Sequence, residues 1–316
     1  MDLNNLDLKN NIFLAPMAGF TDAAFRKVCE DYGVGLTFTE MISVNALSRR
    51  NKATLKLLQF LSDEKVGVQL FGYDPEIFVK AIEVLKEFEK ENNFKFAVID
   101  LNFGCPASKI IRQGSGSALM SRPNKIKQIV EGVVSVAERP VFCKIRSGIS
   151  SKKINAVEIA KICEDAGASL ITVHSRTQKQ GYTGKADYSV IKKVKDSVKV
   201  PVCANGDIKD YASYLKCKEM TGADYFMIGR GALGNPFVFK SILDKKDIKP
   251  SAEMKRESFF SYMNLAEELN INFNQIRIHA QNFTKGIIGS SKIRNALSKV
   301  NSVDEIVEIL ENMNIS

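Results

Sequence analysis

The chain has 316 residues, with 45 Lys and Arg against 36 Asp and Glu, a net charge of +9. That length suits one large α/β domain followed by a smaller one. The basic excess is compatible with a polyanionic partner, although charge alone favours a Lys-rich solvated surface. No pair of its six cysteines forms Cys-x-x-Cys, which argues against zinc-ribbon and thioredoxin-type readings. Cys29, Cys143, Cys163 and Cys203 have apolar neighbours and read as small buried hydrophobes. The N-terminus has no basic region before an apolar stretch, and no uncharged run reaches membrane-span length. A reduced, cytoplasmic, monomeric protein without structural metal is expected.

Residues 12–17 form a short apolar run, ended by Gly19. Thr21 and Asp22 can cap a helix in which Phe25, Val28, Cys29 and Tyr32 share a face. A second strand is expected over 34–39, ending in Glu40 and Met41, then a helix over 45–58. A third strand covers 66–71. Asp74-Pro75 opens a helix striped by Ile77, Phe78, Ala81, Ile82, Leu85 and Phe88. A fourth strand, 96–101, runs into Asn102-Phe103-Gly104-Cys105-Pro106. The segment 107–120 reads as a loop that could cover a substrate. A helix around 126–134 follows, then strand five (140–145), a helix (154–166), strand six (170–173), a short helix (190–194), strand seven (200–204), a helix (210–220) and strand eight (224–228).

Eight short apolar strands alternating with helical stripes imply parallel βαβ units. Their number and length match a TIM (β/α)8 barrel. A doubly wound sheet is the rival, but its early Gly-x-Gly-x-x-Gly turn is missing. After residue 248 the strand signals stop. The expected division is a barrel over 1–248 and an all-α domain over 249–316, four helices broken near 270–274, 286–290 and 301–302. From Leu269 to Val303 no acidic residue occurs, while Arg277, Lys285, Lys292, Arg294 and Lys299 do, with His279. Such a stretch suits contact with phosphates, or is an ordinary exposed helix pair.

Barrel enzymes place their chemistry at the C-terminal ends of the strands. Those ends carry Pro16-Met17-Ala18, Glu40, Gln69, Asn102 with Cys105, Lys144 with Arg146, His174 with Arg176, Asn205-Gly206-Asp207 and Gly229-Arg230. No carboxylate pair suits glycoside hydrolysis and no cluster has metal spacing. Glycine-freed backbone N–H groups at Gly206 and Gly229, with Arg230, suit a phosphate monoester. Lys144 offers a cation for a ring that becomes anionic on reduction. Gln69 and Asn102 can read amide edges, and Pro16-Met17-Ala18 can face a flat ring. The set describes FMN. Cys105 is then a proton donor beside the flavin; a Cys105/His174 hydrolase is the alternative.

The sequence resembles the tRNA-dihydrouridine synthases. The resemblance rests on Ala15-Pro16-Met17-Ala18-Gly19-Phe20-Thr21-Asp22, Gln69-Leu70-Phe71-Gly72, Asn102-Phe103-Gly104-Cys105-Pro106, Gly116-Ser117-Ala118-Leu119-Met120, Lys144-Ile145-Arg146, Val173-His174-Ser175-Arg176-Thr177 with Gly181-Tyr182-Thr183-Gly184-Lys185-Ala186-Asp187-Tyr188, Ala204-Asn205-Gly206-Asp207-Ile208 and Gly229-Arg230-Gly231-Ala232. It implies FMN-dependent reduction of uridine in tRNA, NADPH as reductant, and tRNA held between barrel and helical domain. It implies hydride from the flavin to uracil C6 and a proton from Cys105 to C5. By position, Pro16, Met17, Ala18, Gln69, Lys144, His174, Asn205, Gly206, Asp207, Gly229 and Arg230 would contact FMN. Asn102 and Arg176 would hold the flipped uridine. Lys109 and Arg112 after Cys105, and Lys285, Lys292 and Arg294 in the tail, are the further RNA candidates. Ser108, Lys109 and Arg112 look most like the bacterial B-type branch. Phe283 departs from the family, where Tyr is frequent. Two other classes compete: a barrel flavoenzyme acting on a free pyrimidine, like dihydroorotate dehydrogenase, and a non-catalytic RNA-binding protein.

Overall fold

A computed structural model describes residues 3–61 and 64–312. Met1 and Asp2, at the start of the segment read as lacking a leader, lie outside the described residues, as do the last four residues of the expected helical domain. Among the described residues ten strands form: β1 Ile12–Leu14, β2 Thr37–Ser43, β3 Val66–Phe71, β4 Val98–Asn102, β5 Val141–Arg146, β6 Gly148–Ser150, β7 Lys153–Ile154, β8 Leu170–His174, β9 Val202–Asn205 and β10 Tyr225–Ile228. All but β6 and β7 join one parallel sheet, in the order β1-β10-β9-β8-β5-β4-β3-β2. The two edges meet where Leu14 N–H donates to Leu36 O at 3.0 Å, beside a Phe13–Leu36 bridge. The result is the expected eight-stranded TIM barrel with helices outside.

Alternation along each strand builds two cores. Outward residues such as Val68, Leu70, Ile99, Leu101, Ile145 and Val173 pack beneath the surrounding helices. Inward residues Phe13, Phe38, Val98, Phe142, Leu170 and Cys203 plug the lower barrel. Gly67 belongs to this plug because a Cβ there would meet the Phe38 ring and Val98 at 2.7 Å.

Local differences from expectation have local causes. The helix expected over 45–58 is two short helices, Val44–Leu47 and Lys52–Lys56. Between them Arg50 takes a left-handed φ of 50°, and Asn51 caps the second helix through Thr54 N–H. Strand β2 runs past Glu40 and Met41, because after a register shift Met41, Ile42 and Ser43 pair with Gln69, Leu70 and Phe71. The segment after Cys105 is not an open loop. It holds the helix Ser108–Arg112 and a 3-10 turn, Gly116–Ser121. The small antiparallel pair β6–β7 and the helix Phe237–Leu243 gave no clear sequence signal.

Four helices follow the barrel: Ala252–Glu268, Phe273–Phe283, Ser290–Leu297 and Val303–Glu311. Their breaks fall where the sequence placed them. Phe259, Tyr262, Ile276, Ala280 and Phe283 share a contiguous apolar core with Phe25 and Val28 of the barrel. Three side chains tie the tail to the loop after β1 and to β2. Tyr262 Oη donates to Asp22 Oδ2 at 3.2 Å. His279 Nε2 meets Phe20 O at 3.0 Å, and Gln275 Nε2 donates to Glu40 Oε1 at 2.9 Å. Among the described residues no helix is long and apolar enough to cross a membrane.

Candidate active site

The upper inward positions of the barrel change from apolar to polar. Two residues beyond Val98 stands Asp100, then Asn102; two beyond Phe142 stands Lys144; two beyond Cys203 stands Asn205. Parallel register aligns Gln69 with Asp100, Asn102 with Lys144, and His174 with Asn205. Gln69, Asn102, Lys144, His174 and Asn205 border one open cavity of about 1420 Å³, and Asp100 lies buried beneath it. Every residue expected to hold a cofactor borders it, from Pro16 on the β1 loop to Arg230 after β10, as do Cys105 and Asn102.

The cysteine is held by its turn. Asn102 Oδ1 accepts from Gly104 N–H at 3.0 Å and Cys105 N–H at 2.9 Å. Cys105 O accepts from Ser117 Oγ at 2.7 Å. Arg146 is almost fully buried and donates to Gly104 O, Thr177 O and Gly181 O. It is a brace between the Cys105 turn and the loop after β8. Across the barrel, Lys144 Nζ donates to Asn205 Oδ1 at 3.0 Å, and Asn205 Nδ2 to Met227 O at 2.7 Å. Gly206 (φ +133°) and Asp207 (φ 54°) turn the chain outward after β9. Gly231 must lack a Cβ, which would meet Ile208 O at 2.2 Å.

The electrostatics follow from burial among cations. Burial pushes the Cys105 thiol above its ordinary value, outweighing the Ala107 N–H, Arg146 and Lys144, so the sulfur keeps its proton at neutral pH. Burial, then Lys144 and three arginines, push His174 far below the usual imidazole value, so it is neutral. Burial lowers Lys144 to about 8 against the pull of Asp100. Arg146 falls to about 10 through burial and nearby cations. An imidazole so reluctant to take a proton makes a poor base for the thiol. Among the described residues no hydrogen bond joins His174 to Cys105. Neither feature supports the hydrolase alternative.

Other candidates sit differently from expectation. Arg176 does not border the cavity. It is 3% exposed, and its guanidinium is engaged by Thr183 O, Gly184 O and Asp207 Oδ1 at 2.8 Å. A side chain so occupied shapes the loop after β8. The Asp207 carboxylate likewise faces Arg176 and Ala186 N–H. Partial burial raises Asp207, but these donors outweigh it and its carboxyl lies below the usual range. Its backbone, not its acid, is what a phosphate could use. Lys109 and Arg112 are exposed on the helix after Cys105. Lys285 donates to Asn282 Oδ1 at 2.6 Å; Lys292 is exposed and Arg294 half-buried. His279, read with that cationic stretch, is wholly buried and faces the β1 loop instead.

Three residues were given no role in the site by the sequence reading. Asp100 lies inside the barrel, an acid two residues before Asn102 in a buried strand; that phase is a readable signal. Glu40 accepts from Gly19 N–H at 2.5 Å and so holds the β1 loop. Tyr182 stands at the mouth beneath the guanidinium groups of Arg230 and Arg146, at 4.9 and 5.5 Å. Among the described residues no His/Cys/Asp/Glu group could hold a metal ion.

The solved 2-naphthoyl-CoA reductase complex superposes with a TM-score of 0.58 at 12% identity, over 76% of this chain and half (50%) of that one. Morphinone reductase in complex with tetrahydroNAD gives 0.50 at 11%, over 78% and 90%. At such identities the likeness shows the barrel alone. Sequence relatives are nearer. tRNA-dihydrouridine synthase B of Pasteurella multocida is 41% identical over 261 residues, 81% of this chain and 77% of that protein. The protein of the same name from Salmonella typhimurium is 38% identical over 263 residues, covering 81% and 80%. The family model described as "Dihydrouridine synthase (Dus)" matches residues 13–315, across both barrel and tail. The chain therefore belongs to the dihydrouridine synthase family and is an enzyme of it.

Proposed function

We propose that the chain reduces the C5–C6 double bond of uridine in tRNA to 5,6-dihydrouridine, with FMN bound in the barrel mouth and NADPH as the reductant. The residues fit that cofactor. The turns at Gly206-Asp207 and Gly229–Gly231 offer backbone N–H groups beside the Arg230 guanidinium, a donor set for a phosphate monoester. Pro16, Met17 and Ala18 form an apolar wall. Gln69, Lys144 and neutral His174 contribute donors and one cation without a competing free acid. When bound, FMN supplies the hydride that passes to uracil C6.

The chain itself supplies the proton. A thiol kept protonated by burial, on a turn fixed by Asn102 and Arg146, can deliver it to C5. Lys144 beside Asn205 keeps positive charge in the floor of the site. The base must leave its stack to enter a cavity of this depth. The exposed cations Lys109, Arg112 and Arg230 at or beside the mouth, with Lys285, Lys292 and Arg294 on the tail, then meet RNA phosphates.

The observation carrying this reading is the convergence of all eight barrel strands on one cavity around a protonated cysteine. Cys105→Ala should retain bound flavin and tRNA affinity while turnover falls by about 10²- to 10⁴-fold. Undiminished turnover would remove the thiol from the reaction. Equal reduction of free uridine and of tRNA would favour a free-pyrimidine enzyme. Mass-spectrometric mapping of dihydrouridine in tRNA, from cells with and without the gene, locates the modified position.

A further inference from the structure

Beneath the cysteine turn a single file of hydrogen bonds leads into the barrel. Gln69 Nε2 donates to Asp100 Oδ2 at 2.6 Å, and Asn102 Nδ2 donates to Gln69 Oε1 at 2.8 Å. Asn102 Oδ1 accepts the N–H groups of Gly104 and Cys105. We propose that Asp100 is the positioning residue of this site: its buried carboxylate terminates the file and holds Gln69, Asn102 and the Cys105 turn in one arrangement.

The direction of every bond in the file is forced. Backbone N–H groups only donate, so Asn102 must turn its oxygen to them and its nitrogen to Gln69. Gln69 must then turn its oxygen to Asn102 and its nitrogen downward. That nitrogen is buried and needs an acceptor. Asp100, 0% exposed on the adjacent strand and in register with Gln69, is that acceptor. An apolar residue there would leave Gln69 with an unpaired buried N–H. The amide could recover a partner only by rotating, which breaks its bond to Asn102. Asp100 Oδ1 has no protein partner. Burial raises the carboxyl to about 7, against Gln69 and Lys144. A proton on Oδ1 leaves Oδ2 free to accept, so the file survives either charge state.

The file also fixes what the amides offer a ligand. Both acceptor positions of Asn102 Oδ1 are filled, so Asn102 can offer a ligand only its second N–H, which faces the weak acceptor Met41 Sδ at 3.9 Å. The site can therefore use Asn102 to meet a carbonyl oxygen and not an N–H. The catalytic consequence rests on the reading of Cys105 as proton donor; the placement of the thiol does not.

Alkylation separates the two. The other five cysteines are buried, so iodoacetamide on the native full chain reports Cys105. Asp100→Leu removes the acceptor, while Asp100→Asn keeps one oxygen and loses the charge. Asp100→Leu should raise the alkylation rate by roughly fivefold or more as the turn loosens, and should weaken FMN binding in a fluorescence titration. Asp100→Asn should stay within about twofold of the parent in both. Gln69→Leu should match Asp100→Leu, and the double variant should be no worse than either single one, as links in one file are not additive. If Asp100→Leu fails to fold, Asp100→Asn and Gln69→Leu carry the test. Asparagine as damaging as leucine, additive double-variant effects, or parental alkylation rates in folded Gln69→Leu would each overturn the proposal. Absence of tRNA turnover in the parent chain, with these alkylation rates as expected, would instead count against the proposed function and leave the placement of the thiol intact.

Discussion

The lower and upper halves of the barrel interior are built from the same strands and differ in almost every property. Below, Phe13, Phe38, Val98, Phe142, Leu170 and Cys203 meet in a dry plug with Gly67 left small to admit the Phe38 ring. Above, Gln69, Asp100, Asn102, Lys144, His174 and Asn205 surround an open cavity or lie just beneath it. The change takes a single inward step, about two residues or 6.6 Å of strand. The plug gains from each buried group, whereas the upper layer removes charges and amides from water and recovers only what their mutual hydrogen bonds return. The lower half therefore holds the barrel shut, and the upper half spends some of that stability on chemistry.

Changes that act on one layer alone can break this division. Phe142→Ala opens a cavity in the plug and should cost about 3–5 kcal/mol in urea or thermal unfolding. Molecules that remain folded at low temperature should keep near-parental turnover. A variant that stayed stable, or lost turnover while folded, would show that the layers are not separable.

Lys144→Met is the converse experiment, one inward step above Phe142. It removes a half-buried cation whose departure relieves a desolvation cost. The melting temperature should move little, while turnover on tRNA should fall by about 10²-fold. With the cation gone, the Asp100 carboxyl should titrate above its present value of about 7. A large loss of stability with intact turnover would assign Lys144 to the frame instead.

Much of this layering was legible in the sequence because each strand of a parallel barrel carries its own punctuation. A buried apolar run that stops at Gln69, Asn102, Lys144, His174 or Asn205 announces both the strand and the group it delivers. What was not legible depends on partners distant in the chain. Asp207, 31 residues on, closes Arg176, and nothing in the sequence marks that pair. Nothing local marks His279 as buried either. In sequence it stands among cations, but its helix turns it toward Phe20 and Asp22, more than 250 residues away. The late end of β2 is likewise set by its pairing with β3.

The tail tests whether exposed cations belong with the upper layer. Lys292 and Arg294 lie on the helix Ser290–Leu297, outside the cavity lining. Replacing both with Ala should leave FMN affinity untouched. It should weaken tRNA binding several-fold and lower the slope of log affinity against log salt by about 1–2. A salt titration of tRNA binding reads both, and an unchanged slope would move the RNA contact elsewhere.

The smallest effect concerns the junction between tail and barrel. His279 lies between the rings of Phe25 and Tyr262, and burial lowers it to about 3. It is neutral in the folded chain, whereas the unfolded chain takes up the proton below about 6.5. Its contribution to stability is therefore lost progressively as pH falls from about 6.5 toward 3. Asp22 acts oppositely. Burial raises it to about 6, so between that value and the ordinary 3.8 the folded chain binds the extra proton and gains stability as pH falls. The two terms oppose each other in the parent over that window. His279→Asn removes only the first. The variant should melt below the parent at pH 7, and the gap should narrow steadily toward pH 4. A constant gap would mean that the imidazole takes up its proton inside the folded junction, where Asp22 Oδ2 lies 3.6 Å from Nε2.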